Sequence, residues 1–414
     1  MAVEPLCSDP GAQPAHPQRD RGNATAGSRS RSPRHRVSRW ACEGEKDEEE
    51  KEDEIDDEEE ERRRQRDRAA PHFRWKSGLR LGPSGRYVVD TKIGEGTFGR
   101  VLSCFDSATQ ATVAVKVVKG VRRYCEDAEV EAEVLNEIMQ RDPHHRSRCV
   151  RLLDAFMHPK HHYCLVFERL DASLRDFLKA NDSVGLVLED VRVMARQLLE
   201  CLAFLHSIGL IHTDLKCRNV MLRDARHQVV PLGRGSGSTM VRSPYCCDIA
   251  VIDFGGACFM DELHDGRIGT RQYRAPEVVI GVPWDEKSDI WSAGCIVAML
   301  YLGVRPFQVH ESMEHLALME RIVGERIPPA MVRLALKSGS LPDGVMFDSN
   351  AVLAWPDGAD DEAIEHVRNT TPLSNFVGPQ HGTFKTLLQG LFDLDPARRL
   401  TAGAALQTPF FSSM

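Results

Sequence analysis

The chain has 414 residues, 42% of them hydrophobic and 28% charged, with a formal net charge of −8. This length suits two lobes or domains, and no apolar run approaches the roughly 20 residues of a membrane span, so no membrane partner is expected. The N-terminal stretch MAVEPLCSDPGAQPAHPQRD has neither a cationic start nor an apolar core, which argues against a secretory signal.

Residues 1–80 are rich in Pro, Gly, Ser, Arg and Glu, in blocks of like charge with few large apolar side chains. Such a composition does not offset the entropy of ordering, and a disordered tail is predicted. Within it lie an arginine/serine tract, SRSRSPRHR (Ser28–Arg36), and a run with fifteen acids and two lysines from Glu43 to Glu61. The basic cluster RRRQRDR (Arg62–Arg68) reads either as a nuclear address or as solvated charge. From residue 81 onward the chain is mildly acidic, which favours cationic partners over nucleic acid.

From Tyr87, RYVVDTKIGEGTFGRVLSCFD and ATVAVKVV are rich in β-branched residues and broken by glycines, predicting strand, turn, strand and a third strand. After Arg123 the period becomes helical, with Val130, Val134 and Ile138 at four-residue spacing and Ala128, Glu131 and Leu135 on a neighbouring face. Tyr163 to Glu168 reads as another strand. Met194, Leu198, Leu202 and Leu205 make the apolar stripe of a helix from Val191 to His206. Beyond Ser288 the elements read mainly as helices, and no internal repeat is found. Twelve cysteines without a C-x-x-C pair read as reduced, buried small residues. No metal is assigned to His144, His145, His161 or His162, which lack acidic or thiol partners at ligand spacing.

GEGTFG (Gly94–Gly99) lies between two predicted strands, whereas a dinucleotide fingerprint would open a helix. A glycine turn there can fold over a nucleotide, although such turns are common in hairpins. Lys116, in a strand of valines, needs a polar destination for its ammonium, and Glu131 on the next helix is placed to pair with it. Asp214 and Asn219 in HTDLKCRN are five residues apart, and Asp253 follows in VIDFG. Phosphoryl transfer needs oxygen ligands for Mg²⁺ and a carboxylate to receive or orient a hydroxyl proton. Asn219 and Asp253 supply the ligands, Asp214 supplies the base, and Lys216 can steady the transferred phosphate.

RQYRAPE (Arg271–Glu277), Asp289 with WSAGC, and DPARRL (Asp395–Leu400) complete a series that resembles the eukaryotic protein kinases from Tyr87 to Phe411. EHLALMER (Glu314–Arg321), with RYCEDAEVE, HTDLK, YRAPEV and the terminal PFF, is similar to the LAMMER, or Clk, family of the CMGC group. The resemblance implies an α+β bilobal fold, with a β-rich N-lobe of one main helix over about residues 87–170 and a mainly helical C-lobe over about 171–411. It implies ATP and Mg²⁺, with nucleotide contacts from Ile93, Gly94, Glu95, Gly96, Thr97, Phe98, Gly99, Val101, Ala114, Lys116, Glu131, Phe167, Glu168 and Leu170. It also implies a buried Glu277–Arg399 ion pair and a catalytic loop braced by Asp289. Substrates would be arginine/serine-rich proteins such as splicing factors, modified on serine or threonine, with tyrosine autophosphorylation within the family's range. A nuclear setting, also cytoplasmic, and a monomeric catalytic domain are expected. The alternatives are another CMGC kinase or a pseudokinase scaffold; the intact Lys116, Glu131, Asp214, Asn219 and Asp253 oppose the scaffold.

Three features depart from the common pattern. Cys217 and Arg218 stand where the family usually has Pro-Glu, and Pro231–Pro244 adds either a hairpin or a mobile loop. Thr213 precedes the catalytic aspartate where many kinases have an arginine that binds an activating phosphate, so an activation loop held by packing is predicted. Asp261, Glu262, Asp265, Asp285 and Glu286 are candidate contacts for arginine-rich substrates, and Ser28, Ser30 and Ser32 for self-phosphorylation.

Overall fold

The computed structural model describes residues 65–412 except 159–160, 235–238, 263, 265 and 310. The arginine/serine tract with Ser28, Ser30 and Ser32, the acidic run and Asp265 lie outside the described residues.

Six antiparallel strands build the small lobe: β1 (Arg80–Leu81), β2 (Tyr87–Glu95), β3 (Gly99–Asp106), β4 (Ala111–Val118), β5 (Leu152–His158) and β6 (His162–Glu168), in the order β1-β2-β3-β4-β6-β5. Alternation along a strand sorts its side chains to opposite faces. In β4 this sends Val113, Val115 and Val117 into an outer cluster with Leu102, Cys104 and Tyr87. Lys116 is thereby turned to the other face, toward helix α1 (Arg122–Arg141). The buried residues of α1 include Ala128, Glu131, Val134, Leu135 and Ile138, as the spacing predicts.

The expectation of disorder up to residue 80 fails for residues 65–80. Phe73 is buried in the outer cluster, edge-on to His162 at 5.0 Å and to His158 at 5.6 Å, and Trp75 and Leu79 pack against the same cluster. The Phe73 carbonyl accepts from Arg100 at 2.9 Å, and Lys119 Nζ donates to the Arg68 carbonyl at 2.7 Å. Gly78 donates to Val89 and Val89 to Leu79, each at 2.8 Å. A few apolar anchors outweigh the basic composition, because burying one large side chain is worth about 1.5–3 kcal/mol.

In the large lobe, α2 (Leu174–Ala180) and α3 (Leu188–Ser207) precede the catalytic segment, and α4 (Pro276–Val279), α5 (Lys287–Leu302) and α6 (Ser312–Val323) follow it. Helix α5 buries 14 of its 16 residues, as a helix enclosed on every side must. Helix α6 carries EHLALMER and buries His315, Leu316, Leu318 and Met319. The added segment is a hairpin, His227–Pro231 with Met240–Pro244, paired from Met240↔Pro231 to Pro244↔His227. Among the described residues no helix is long and apolar enough to cross a membrane.

Candidate active site

Short strand pairs set the geometry of the cleft. Strands Val220–Leu222 and Ile249–Val251 pair antiparallel with Val220 opposite Val251, and Ile252 N–H donates to the Asn219 carbonyl at 2.9 Å. Asn219 at the end of the catalytic loop and Asp253 just past the second strand are therefore neighbours, although 34 positions separate them in the chain. Lys116 Nζ reaches Glu131 Oε2 at 2.7 Å and Asp253 Oδ1 at 3.6 Å. Burial opposes the ammonium, but Glu131 and Asp253 more than compensate and hold its pKa above the ordinary lysine value. At Asp253, desolvation pushes upward, yet Lys116, His212 and Lys216 keep the carboxyl below its usual range.

The catalytic loop is pinned from beneath. Asp289 accepts from His212 N–H at 2.8 Å, from Thr213 N–H at 3.0 Å and lies 3.2 Å from His206 Nε2. Thr213 and Asp253 both adopt left-handed φ angles, 70° and 68°, a strain of about 1–3 kcal/mol each that persists only where surrounding bonds enforce it. Thr213 Oγ1 supplies one such bond, donating to the Gly256 carbonyl at 2.8 Å. The threonine thus ties the catalytic loop directly to the segment after Asp253, and Arg274 donates to the Ile268 and Gly269 carbonyls at 2.9 Å and to Gly269 again at 3.1 Å. Phosphatase treatment is accordingly expected to leave activity within about a factor of two, since these bonds tie the described part of the loop in place without a phosphate. Loss of activity that rephosphorylation restores would contradict it.

Around Asp214 a second set closes. Lys216 Nζ donates to Asp214 Oδ2 at 2.5 Å and to Thr270 Oγ1 at 3.2 Å, while the Thr270 hydroxyl donates to Asp214 Oδ1 at 2.9 Å and its N–H to the same oxygen at 3.0 Å. Asn219 Nδ2 donates to the Asp214 carbonyl at 2.9 Å, leaving its amide oxygen as an acceptor. A carboxylate at Asp253 and an amide oxygen at Asn219 are hard oxygen donors suited to Mg²⁺. The metal would draw the phosphates into place and offset their charge.

The glycine turn joins β2 and β3 on the same sheet as Lys116, whose register partner is Val101, with Gly94 also opposite Val101 and Gly96 N–H bonded to the Gly99 carbonyl at 3.0 Å. Phe98 at its tip rests edge-on against Tyr124 of α1, 5.1 Å away, and the Phe98 carbonyl accepts from Lys119 N–H at 2.8 Å. Thr97 is exposed beside it, and Ile93 is 36% exposed on β2. A Cβ on Gly99 would stand 2.4 Å from the Val117 carbonyl oxygen. Gly99→Ala is therefore expected to lift the flap off β4 and raise KM for ATP roughly tenfold, since overpacking costs about 1–3 kcal/mol; steady-state ATP titration reads the change.

Two side chains expected at the nucleotide are engaged elsewhere. Glu95 is held by Lys92 at 2.9 Å and Arg100 at 2.7 Å at the base of the turn. Glu168 is buried under Arg223 at 2.6 Å and Arg151 at 3.0 Å. Both oxygens of Glu168 are engaged, so only its backbone is left to meet a ligand, whereas both bonds to Glu95 end on Oε2; the arginine that covers Glu168 comes from 55 positions downstream, beyond any local pattern. Ala114 pairs with Phe167 across β4 and β6, and Leu170 is buried just beyond β6. Sequence spacing gave no sign of Tyr124 as the rest for Phe98, nor of Thr270 as a partner of Asp214.

The protein kinase domain family matches residues 87–411. The chain is 40% identical over 353 residues to the serine/threonine-protein kinase AFC1 of Arabidopsis thaliana, covering 82% of this chain and 73% of that protein. It is 39% identical over 335 residues to the dual specificity protein kinase CLK1 of Homo sapiens, covering 79% and 66%. To the dual specificity protein kinase lkh1 of Schizosaccharomyces pombe it is 36% identical over 333 residues, covering 80% and 47%. A solved kinase domain superimposes with a TM-score of 0.77 at 35% identity, over 82% of this chain and 98% of that one.

Proposed function

The chain belongs to the protein kinases, in their LAMMER or Clk branch, and from that premise we propose that it transfers the γ-phosphoryl group of Mg²⁺-bound ATP to serine or threonine of arginine/serine-rich proteins, with tyrosine as a secondary acceptor. The supporting observation is the Thr270 hydroxyl, an aliphatic alcohol held between Asp214 Oδ1 and Lys216 Nζ. An incoming serine hydroxyl meets the same carboxylate and the same ammonium.

In the transfer, the acceptor oxygen forms a bond to the γ-phosphorus as the bond to the ADP oxygen breaks. Asp214 orients the hydroxyl and receives its proton. Lys216 offsets charge on the moving phosphoryl group, and Lys116, fixed by Glu131, aligns the remaining phosphates. Bound Mg²⁺ supplies charge neutralisation, with Asn219 and Asp253 to hold it. Catalysis here is positioning and electrostatics, which need a rigid loop; Asp289 provides it.

Exposed Asp285 and the neighbouring Glu286, with Asp261 and Glu262, support cationic substrates. The two segments that carry them meet where Trp284 stacks on His264 at 4.6 Å and donates to the Gly266 carbonyl at 3.0 Å. The basic cluster at Arg62–Arg68 supports a nuclear location, and a monomeric catalytic domain is part of the same proposal. Peptide arrays that set Arg-Ser repeats against Ser-Pro sites test the substrate class. Preference for Ser-Pro would move the enzyme to another CMGC specificity.

A further inference from the structure

Resting on the kinase reading above, we propose that Arg175, Arg218 and Arg305 form an anion-binding subsite beside the acceptor hydroxyl, so that the enzyme favours acceptor peptides bearing a phosphorylated or acidic side chain close to the modified residue.

The catalytic loop and two separate segments that flank it carry these arginines. Arg218 is exposed on the catalytic loop, four positions after Asp214 and one before Asn219. Arg175 lies in the first turn of α2, where its own N–H donates to the Cys217 carbonyl at 3.1 Å, so the start of α2 abuts the loop at that residue. Arg305 follows the Gly303 cap of α5, in a segment whose Val309 carbonyl accepts from Gln272 of the activation segment at 3.2 Å. Burial pushes the Cys217 thiol up to about 12, against a hydrogen bond with Tyr273 and the charges of Arg175 and Arg305, both of which are within electrostatic reach of this residue.

Their bonding sets them apart from the other arginines of the cleft. Arg151 and Arg223 are committed to Glu168, Arg274 to the Ile268 and Gly269 carbonyls, and Arg100 to Glu95. Among the described residues none of the Arg175, Arg218 and Arg305 guanidinium groups has a hydrogen-bond acceptor, and Arg305 Nε is buried without one. A buried cationic N–H without an acceptor is costly, and a ligand that supplies one recovers that cost. The guanidinium fork matches phosphate and carboxylate oxygens in particular.

The floor beneath offers a cation nothing. Cys217 Sγ lies 3.4 Å from Met299 Sδ and the Tyr273 hydroxyl 3.5 Å from the same sulfur, so the buried layer behind the loop is built of sulfur and a neutral phenol and holds no carboxylate among these groups. Arg218, exposed beside the buried Cys217, sets a guanidinium rather than a neutral or acidic group on the catalytic loop near the acceptor. An arginine/serine repeat gains a matching group once its first serine is modified.

The test uses the full chain with Mg²⁺ and ATP on an Arg-Ser peptide with one acceptor serine. Phosphoserine, glutamate, alanine or arginine is placed in turn at each of the four positions on either side, and kcat/KM is measured. The expected order at one or more positions is phosphoserine over glutamate over alanine over arginine, with phosphoserine about tenfold above alanine and the ratio falling as salt rises. Arg218→Glu should invert the order at that position, and Arg175→Gln, on a different element, should shrink the ratio to a few-fold. Equal kcat/KM for all four peptides, or a phosphoserine preference that survives both variants intact, overturns the subsite and leaves the kinase reading standing. Absence of transfer to every peptide overturns both.

Discussion

Asp214→Asn is expected to lower kcat by about 10² to 10⁴, or roughly 3 to 5 kcal/mol of barrier, with KM for ATP and thermal stability nearly unchanged. Asparagine has the same shape, and its amide oxygen can still accept from the Thr270 hydroxyl and N–H that now reach Asp214 Oδ1 at 2.9 and 3.0 Å. The Asn219 bond goes to the backbone carbonyl of residue 214 and survives the change. What disappears is the carboxylate that, among the described residues, bonds both Lys216 and Thr270 and can take a proton. Lys116, Glu131 and Asp253 are untouched, so nucleotide affinity should follow the parent protein. Calorimetric ATP binding beside single-turnover phosphate transfer separates the two. A variant that turns over at the parental rate removes the base role from Asp214.

Arg399→Met is expected to cost about 3–5 kcal/mol of stability, a fall in melting temperature on the order of 10 °C for a domain of this size. Arg399 and Glu277 are both fully buried, joined at 2.6 and 2.8 Å. The guanidinium also donates to the Asp393 carbonyl at 3.0 Å and the Lys287 carbonyl at 2.8 Å, and lies 5.3 Å from the Trp291 ring centre. Its removal strands a carboxylate and two carbonyls in the protein interior. The desolvation cost of both charges was already met on folding, so Glu277→Leu combined with Arg399→Met should lose less than Arg399→Met alone. Denaturant unfolding of both variants checks this. A single variant within about 1 kcal/mol of the parent would show that water reaches the site.

Much of the cleft was legible because its residues sit in punctuated segments. The glycines around Phe98, the valines around Lys116 and the loop from His212 to Asn219 each carry a local signature, and the helical period put Glu131 on the inward face. What stayed hidden depends on distant partners. Nothing near Glu168 in sequence shows that Arg223, 55 positions on, covers its carboxylate. The inserted segment was ambiguous between hairpin and loop because glycine and serine serve both, and pairing of Val230 with Val241 is a tertiary fact. Charge misled at residues 65–80, where eight basic side chains from 62 to 80 obscured Phe73, Trp75 and Leu79.

That buried aromatic bears on where the catalytic unit can be cut. A fragment started at Tyr87, where the family match begins, would lose the strand beside β2 and lay bare a row of unpaired backbone groups together with the hollow that Phe73 fills. Naked strand margins next to uncovered hydrocarbon invite chains to stick to one another. The shortest well-behaved piece of this kinase therefore starts ahead of Phe73.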